Sequence, residues 1–269
     1  MKPATMRALV ASAALLASMT AAAQSADEIA KQLANPIASL TSVPLQLNYE
    51  REAGIAGDAD RTRLNVQPVI PVDLGAEWNL ISRTILPVVS QEELRLGAGD
   101  AAGIGDVTQS FFFSPETPTR RGWVWGVGPA LLAPTASDDA LGADRWALGP
   151  TFVALRQTEA GWTYGGLFNH LVSADAAPED RPDLSNTLVQ LFVSKRIGPG
   201  RTLSAVTEST YDWEGEQWTV PVHVSVSQVV RIGRQLVSFQ GGIGRYTAGS
   251  DVAPEWGLRL TTTLMFPKR

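Results

Sequence analysis

The 269-residue chain has only two histidines, and one of them, His223, stands two residues before Ser225. A serine nucleophile needs a base within hydrogen-bond reach and a third group that orients the base. A spacing of two on a strand places both side chains on one face, which is the minimum such acyl-transfer chemistry requires. That face is the one opposite Val220, Val222 and Val224, and no asparagine stands in a matching position. The pair therefore reads as two polar side chains on an inward face, and no catalytic residue is expected. The other histidine, His170, shares a face with Trp162 and Phe168 near a strand end. An imidazole there reaches toward an interface rather than a metal. The acidic pairs Glu92-Glu93, Asp138-Asp139 and Glu179-Asp180 could hold calcium or bridge lipopolysaccharide through divalent cations. As acids between apolar runs they read as solvated loop charge. Gly103-Ile104-Gly105 neither follows a strand nor opens a helix, so it carries no nucleotide signal. The chain has no cysteine, which removes disulfides and thiolate sites. No cofactor and no metal are expected.

The elements that must position these residues are strands. Apolar and polar residues alternate with a period of two through twelve segments: 43–51, 61–72, 76–87, 105–113, 122–133, 145–156, 161–172, 184–194, 201–213, 217–230, 236–247 and 256–266. In 43–51, Val43, Leu45, Leu47 and Tyr49 oppose Gln46, Asn48 and Glu50. In 122–133, Trp123, Trp125, Val127 and Leu131 oppose Gly122, Gly126 and Gly128. In 217–230, Trp218 and four valines oppose Thr219, His223 and Ser225. Segments 76–87 and 184–194 are apolar on both faces. Most segments have the length that a tilted membrane-spanning strand needs, roughly 9–11 residues.

The first residues, MKPATMRALVASAALLASMTAAA, combine Lys2 and Arg7 with an Ala/Leu-rich run and then Ala21-Ala22-Ala23. This is the layout of a secretory signal peptide with cleavage after Ala23. No later stretch is long and apolar enough for a membrane-spanning helix. Charged residues make up only 18% of the chain, hydrophobic ones 44%, and there are eight tryptophans and 24 glycines. The net charge of −5 and the absence of a basic stripe exclude a nucleic-acid partner.

A soluble sandwich would alternate too, but three features favour a transmembrane antiparallel up-and-down β-barrel of about 12 strands, an all-β fold. The strand count is even. Aromatic residues fall near strand ends, at Trp123, Trp146, Trp162, Tyr211, Trp218, Tyr246, Trp256 and Phe266, where interfacial girdles place them. The connections also differ by turns. With both termini periplasmic, the odd connections carry seventeen acidic and three basic residues, and the even ones four acidic and seven basic. The odd set is mostly longer, as outer loops of such barrels are. Closure would leave no sticky edge on so many apolar strands.

The stretches LANPIASLTSVPLQLNYE, LNVQPVIPVDLGAEWNLISRTILPVV, GIGDVTQSFFFSP, GWVWGVGPALLAPTASDDALG, TESTYDWEGEQWTVPV and WGLRLTTTLMFP make the similarity specific. They resemble a family of bacterial outer-membrane proteins labelled "transporter", some mislabelled neuromedin U. The chain is more distantly similar to barrels of aromatic-compound degradation pathways. The aromatic last strand resembles the assembly signal of outer-membrane barrels, although Pro267, Lys268 and Arg269 follow Phe266. The His-x-Ser spacing occurs in outer-membrane phospholipase, another twelve-stranded barrel. The resemblance implies placement in the outer membrane of a Gram-negative cell, but no substrate.

The expected organisation is a signal peptide over 1–23, a periplasmic segment or plug over 24–42, and the barrel over 43–269. Within 26–40, a short helix should end by Asn35-Pro36, with Leu33, Ile37 and Leu40 on one face. Asn48, Arg63, Asn65, Gln67, Asp106, Glu208, His223 and Arg259 should line the lumen, with glycines 122, 126, 128, 149, 165, 166, 242 and 244 leaving room beside them. The expected partners are outer-membrane lipids and lipopolysaccharide, the barrel-assembly machinery and a small-molecule solute. The expected function is passive passage of small molecules. The alternative is a closed structural barrel or one acting on lipids.

Overall fold

A computed structural model describes residues 26–53, 59–92, 99–174, 183–250 and 253–266. Twelve antiparallel strands form one closed barrel. β1 is Thr41–Ala53, and β2 runs in two pieces, Ala59–Val66 and Val69–Asp73. β3 is Trp78–Gln91, and β4 is again in two pieces, Ala101–Ile104 and Val107–Pro115. The remainder are β5 (Trp123–Ala133), β6 (Ala147–Gln157), β7 (Trp162–Ser173), β8 (Ser185–Gly198), β9 (Arg201–Asp212), β10 (Gln217–Ile232), β11 (Gln235–Ala248) and β12 (Trp256–Phe266). Each strand pairs with its sequence neighbours, and β12 pairs back onto β1, from Thr41 opposite Phe266 to Arg51 opposite Trp256.

The two interruptions have local causes. Pro68 has no N–H to give the ladder, and the β2 pairing lapses at Gln67-Pro68. In β4 the break falls at Gly105-Asp106, where the Asp106 carboxylate turns to backbone amides of the 134–146 connection. Several strands exceed their sequence-based bounds, β10 reaching 16 residues.

The two rims differ. At the rim holding Thr41 and Phe266, connections are short turns. Pro199-Gly200 joins β8 to β9, and Gly233-Arg234 joins β10 to β11. Gly200 and Gly233 have φ of 64° and 60°, a region glycine enters without a side-chain penalty. At the far rim most connections are longer, 213–216 excepted. One of them, 134–146, carries a single 3-10 turn, Asp139–Leu141, which Asp138 caps by accepting from Ala140 N. The predicted loop acids Glu93, Glu179 and Asp180 lie outside the described residues, as does the segment 1–25.

The outward face is an apolar band. Val127, Phe152, Phe168, Val224, Ile243 and Leu260 are all exposed along it. Aromatic rings mark both edges. Near the termini Trp78 meets Trp125 edge-on at 6.0 Å, and Trp123 meets Tyr164 at 6.1 Å. At the far rim Tyr211 lies 4.9 Å from Trp213 and 5.0 Å from Trp218. There too, His170 Nδ1 and Trp213 Nε1 both bond the Thr187 hydroxyl at 2.8 Å. An exposed apolar belt of this extent, bounded by aromatic rings, is stable only against hydrocarbon.

The interior is packed by the chain's own N-terminal stretch. Residues 26–33 form a helix. Beyond it, Ile37 enters a buried cluster of Ile81, Phe112, Val153, Leu155 and Leu167, all inward side chains of β3, β4, β6 and β7. Ile29, Ala30, Ala38 and Leu40 pack on Val229, Leu236 and Met265 across the lumen. Asp27 Oδ1 accepts from Gly200 N at 2.7 Å, and Gln157 Nε2 donates to Lys31 O at 2.7 Å, tying the helix to the short-turn rim.

Candidate functional site

The inner wall has two unlike halves. From β3 to β8 it is largely apolar, and the packing around Ile37 uses that half, with Leu188 and Phe192 of β8 at its border. From β9 through β12 and on to β2 it is polar and charged. Segments 76–87 and 184–194 are apolar on both faces because one face meets the outside band and the other meets the N-terminal segment.

The polar half forms a connected network. Glu50, buried on β1, accepts from Arg61 Nε at 2.6 Å, from Arg63 Nη2 at 3.0 Å and from the Tyr246 hydroxyl at 2.7 Å. One turn of the alternation below it, Asn48 Oδ1 accepts from Arg259 Nε at 2.8 Å, and Asn48 Nδ2 donates to Arg63 O at 3.4 Å. Arg259 Nη2 reaches on to Glu208 Oε2 at 2.7 Å. Two glutamates thus stand against Arg61, Arg63 and Arg259. A fourth arginine, Arg83 of β3, donates to Gln67 Oε1 at 3.2 Å and has no carboxylate partner among the described residues.

Of the predicted lining residues, Asn48, Arg63, Glu208 and Arg259 come together in this network, while Gln67 forms a separate pair with Arg83. Asn65 stands opposite Gln46 on the same face. His223 is buried on the inner wall, with Nδ1 lacking a hydrogen-bond partner. Its neighbour in the motif, Ser225, bonds Ser204 Oγ at 2.9 Å and Gln240 Nε2, not the imidazole. The two side chains therefore share a face without forming a nucleophile–base pair.

Asp106 departs from its expected place as a bare lumen charge. Its carboxylate accepts from Thr135 N and Ala136 N at 3.1 Å each and from Ala143 N at 2.6 Å, so its negative charge fastens the far-rim connection. Of the glycines expected to leave room, Gly128, Gly149, Gly165, Gly242 and Gly244 leave none, Gly166 lies beside the outward Leu191, and Gly122 is open, with nothing nearer than Arg156 Nε at 3.7 Å. A Cβ at Gly149 would collide with His170 O, one at Gly165 with Ala154 O, one at Gly242 with Ser225 and one at Gly244 with the His223 ring. The tight curl of a twelve-stranded wall brings neighbouring backbone into the space a side chain would take.

Tyr246 is the other reassignment. Expected in a girdle, it lies in phase with Gly242 and Gly244 and points inward to Glu50. Sequence reasoning also passed over Glu50, Arg61 and Arg83 as lining residues. Glu50 and Arg61 were detectable from phase alone, two residues from Asn48 and Arg63. Arg83 was hidden in a strand apolar on both faces.

Between residues 32–40 and the wall remains a cavity of about 280 Å³. Leu33, Leu40, Val69 and Phe192 line its apolar side, and Arg83, Arg259, Glu208, Gln67 and Gln190 its polar side. Among the described residues no cluster of three or more metal-ligating side chains occurs.

Comparison with known proteins agrees with this architecture. The barrel is similar to an outer membrane channel from Pseudomonas putida F1, with a TM-score of 0.66 and 16% identity over 85% of this chain and 96% of that one. It also aligns with outer membrane phospholipase A from Escherichia coli at a TM-score of 0.49 and 12% identity, over 84% and 92% of the two chains. No curated protein matches the chain in sequence. Residues 52–228 match the model of one family, covering most of the barrel. With this match and the closed twelve-stranded barrel together, the chain belongs to the family described as putative MetA-pathway of phenol degradation.

Proposed function

We propose that this barrel is an outer-membrane channel through which small molecules pass passively. In this reading residues 1–23 are a cleaved signal peptide, the N-terminal segment expected over 24–42 plugs the lumen as far as Leu40, and the wall, expected from 43 to 269, starts at Thr41 where β1 begins. The rim of short turns faces the periplasm, and the longer acidic connections face outward. Outer-membrane lipids surround the band, lipopolysaccharide meets the far rim, and the barrel-assembly machinery inserts the chain.

The observation that carries the reading is the lumen itself. A cavity of about 280 Å³ lies between residues 32–40 and the wall, and Arg83, Arg259 and Glu208 line it. A solid structural barrel would fill that space with wall side chains. The likeness to a solved outer membrane channel supports the reading at the level of fold. Asn48, Arg63, Asn65, Gln67, Glu208, His223 and Arg259 are the lining residues in this reading, while Asp106 serves the loop.

Conductance in planar bilayers tests it. The full chain should conduct weakly, and a chain lacking residues 24–40 should conduct more. Silence from both, with no solute uptake into liposomes, ends the channel reading.

A further inference from the structure

The charges on the inner wall do not balance. Glu50 is already held by two arginines and Glu208 by a third, at 2.6 to 3.0 Å. Arg83 is left with a single neutral acceptor, Gln67 Oε1. Glu208 lines the same cavity and its charge reaches Arg83, but it is already bonded to Arg259, so the Arg83 guanidinium has no carboxylate of its own in this confined, low-dielectric space. Arg83 also lines the 280 Å³ cavity, and the apolar side chains of Leu33, Leu40 and Phe192 line it too. The cavity thus offers one cationic pole and one apolar wall.

We propose that this cavity is a binding site for a small amphiphilic carboxylate, its carboxylate on Arg83 and its apolar body against Leu33, Leu40 and Phe192. The chemistry selects the class. A guanidinium presents paired N–H donors in a plane that matches a carboxylate. A cation finds no free carboxylate in the cavity, because Glu208 is taken by Arg259. The volume suits a one-ring or short-chain acid, near the lower end of small-molecule pockets. Gln67 holds the Arg83 side chain, and Gln190 on the cavity wall can donate to the second carboxylate oxygen. Because the site lies between plug and wall, an acid bound there sits on the proposed path. The inference rests on the channel reading for its role in passage but not for binding itself.

The test uses the full-length protein in lipid nanodiscs, titrated calorimetrically with benzoate and with benzyl alcohol, with empty nanodiscs subtracted. Wild-type protein should bind benzoate about tenfold or more tightly than benzyl alcohol. Arg83→Gln should weaken benzoate by a similar factor and leave benzyl alcohol unchanged, and Arg83→Lys should retain part of the benzoate affinity. Equal affinity for the two probes, no benzoate binding, or full benzoate affinity in Arg83→Gln would each overturn the site. If Arg83→Gln does not assemble, the wild-type comparison decides alone. Bilayer conductance separates the two readings. Benzoate binding without conductance keeps the site and removes the channel, and conductance without benzoate preference does the reverse.

Discussion

Asn48 and Arg259 stand opposite each other across the seam where the first strand closes on the last, Nε to Oδ1 at 2.8 Å, although 211 residues separate them in the chain. The pair joins the two ends of the barrel and links the Glu50 cluster to Glu208. Closure and lumen chemistry therefore share the same side chains.

Breaking that pair should weaken the barrel unequally from its two sides. Asn48→Leu leaves the Arg259 Nε without its acceptor and should cost about 1–3 kcal/mol. Arg259→Met removes the partner of Glu208 from the lumen and should cost more, about 3–5 kcal/mol. Urea unfolding in phospholipid vesicles would measure both. The double variant should fall short of the sum, because the two share one network.

The wall's two faces should respond oppositely to charge. Val222→Arg and Leu260→Arg put a guanidinium into the exposed apolar band and should each cost about 2–4 kcal/mol. Thr261→Arg, which points into the cavity, should cost less. Equal losses at Leu260 and Thr261 would contradict the assignment of faces.

Ile37 is the side chain that seats the N-terminal segment against Ile81, Phe112 and Val153. Ile37→Glu would bury a carboxylate in that cluster and should release the segment. Single-channel current should rise severalfold above wild type, approaching that of the 24–40 deletion. Unchanged current in Ile37→Glu alongside raised current in the deletion would show that Ile37 is not the anchor.

The inward glycines should be intolerant for steric reasons. Gly149→Ala drives a methyl into the His170 carbonyl and should cost about 1–3 kcal/mol. Gly241→Ala, whose Cβ would meet only Leu260 Cδ2 at 3.7 Å, should be close to neutral. Folding yield and urea midpoints of the two variants would check this.

Orientation can be read chemically. Cysteine in place of Asp139, on the exposed 3-10 turn, should react with an impermeant maleimide on intact cells. Cysteine in place of Gly198, at the rim of short turns, should react only after lysis. The reverse pattern would turn the barrel over.

The strands and their faces were legible in the sequence because a strand's side chains alternate with a period of two, and membrane and lumen impose opposite solvents on the two phases. Val220, Val222 and Val224 against His223 and Ser225 needed no tertiary information to be sorted outward and inward. The same phase would have sent Glu50, Arg61 and Tyr246 inward. It failed at segments 76–87 and 184–194, where both faces are apolar, and so concealed Arg83. Only the folded barrel decided which inward groups meet. Register and shear bring Arg259 onto Asn48 and Glu208, the far-rim connection occupies Asp106, and the N-terminal segment supplies Ile37 as a second surface inside the wall. Alternation is a local property of the chain, whereas these contacts join residues far apart in sequence and exist only once the ring has closed.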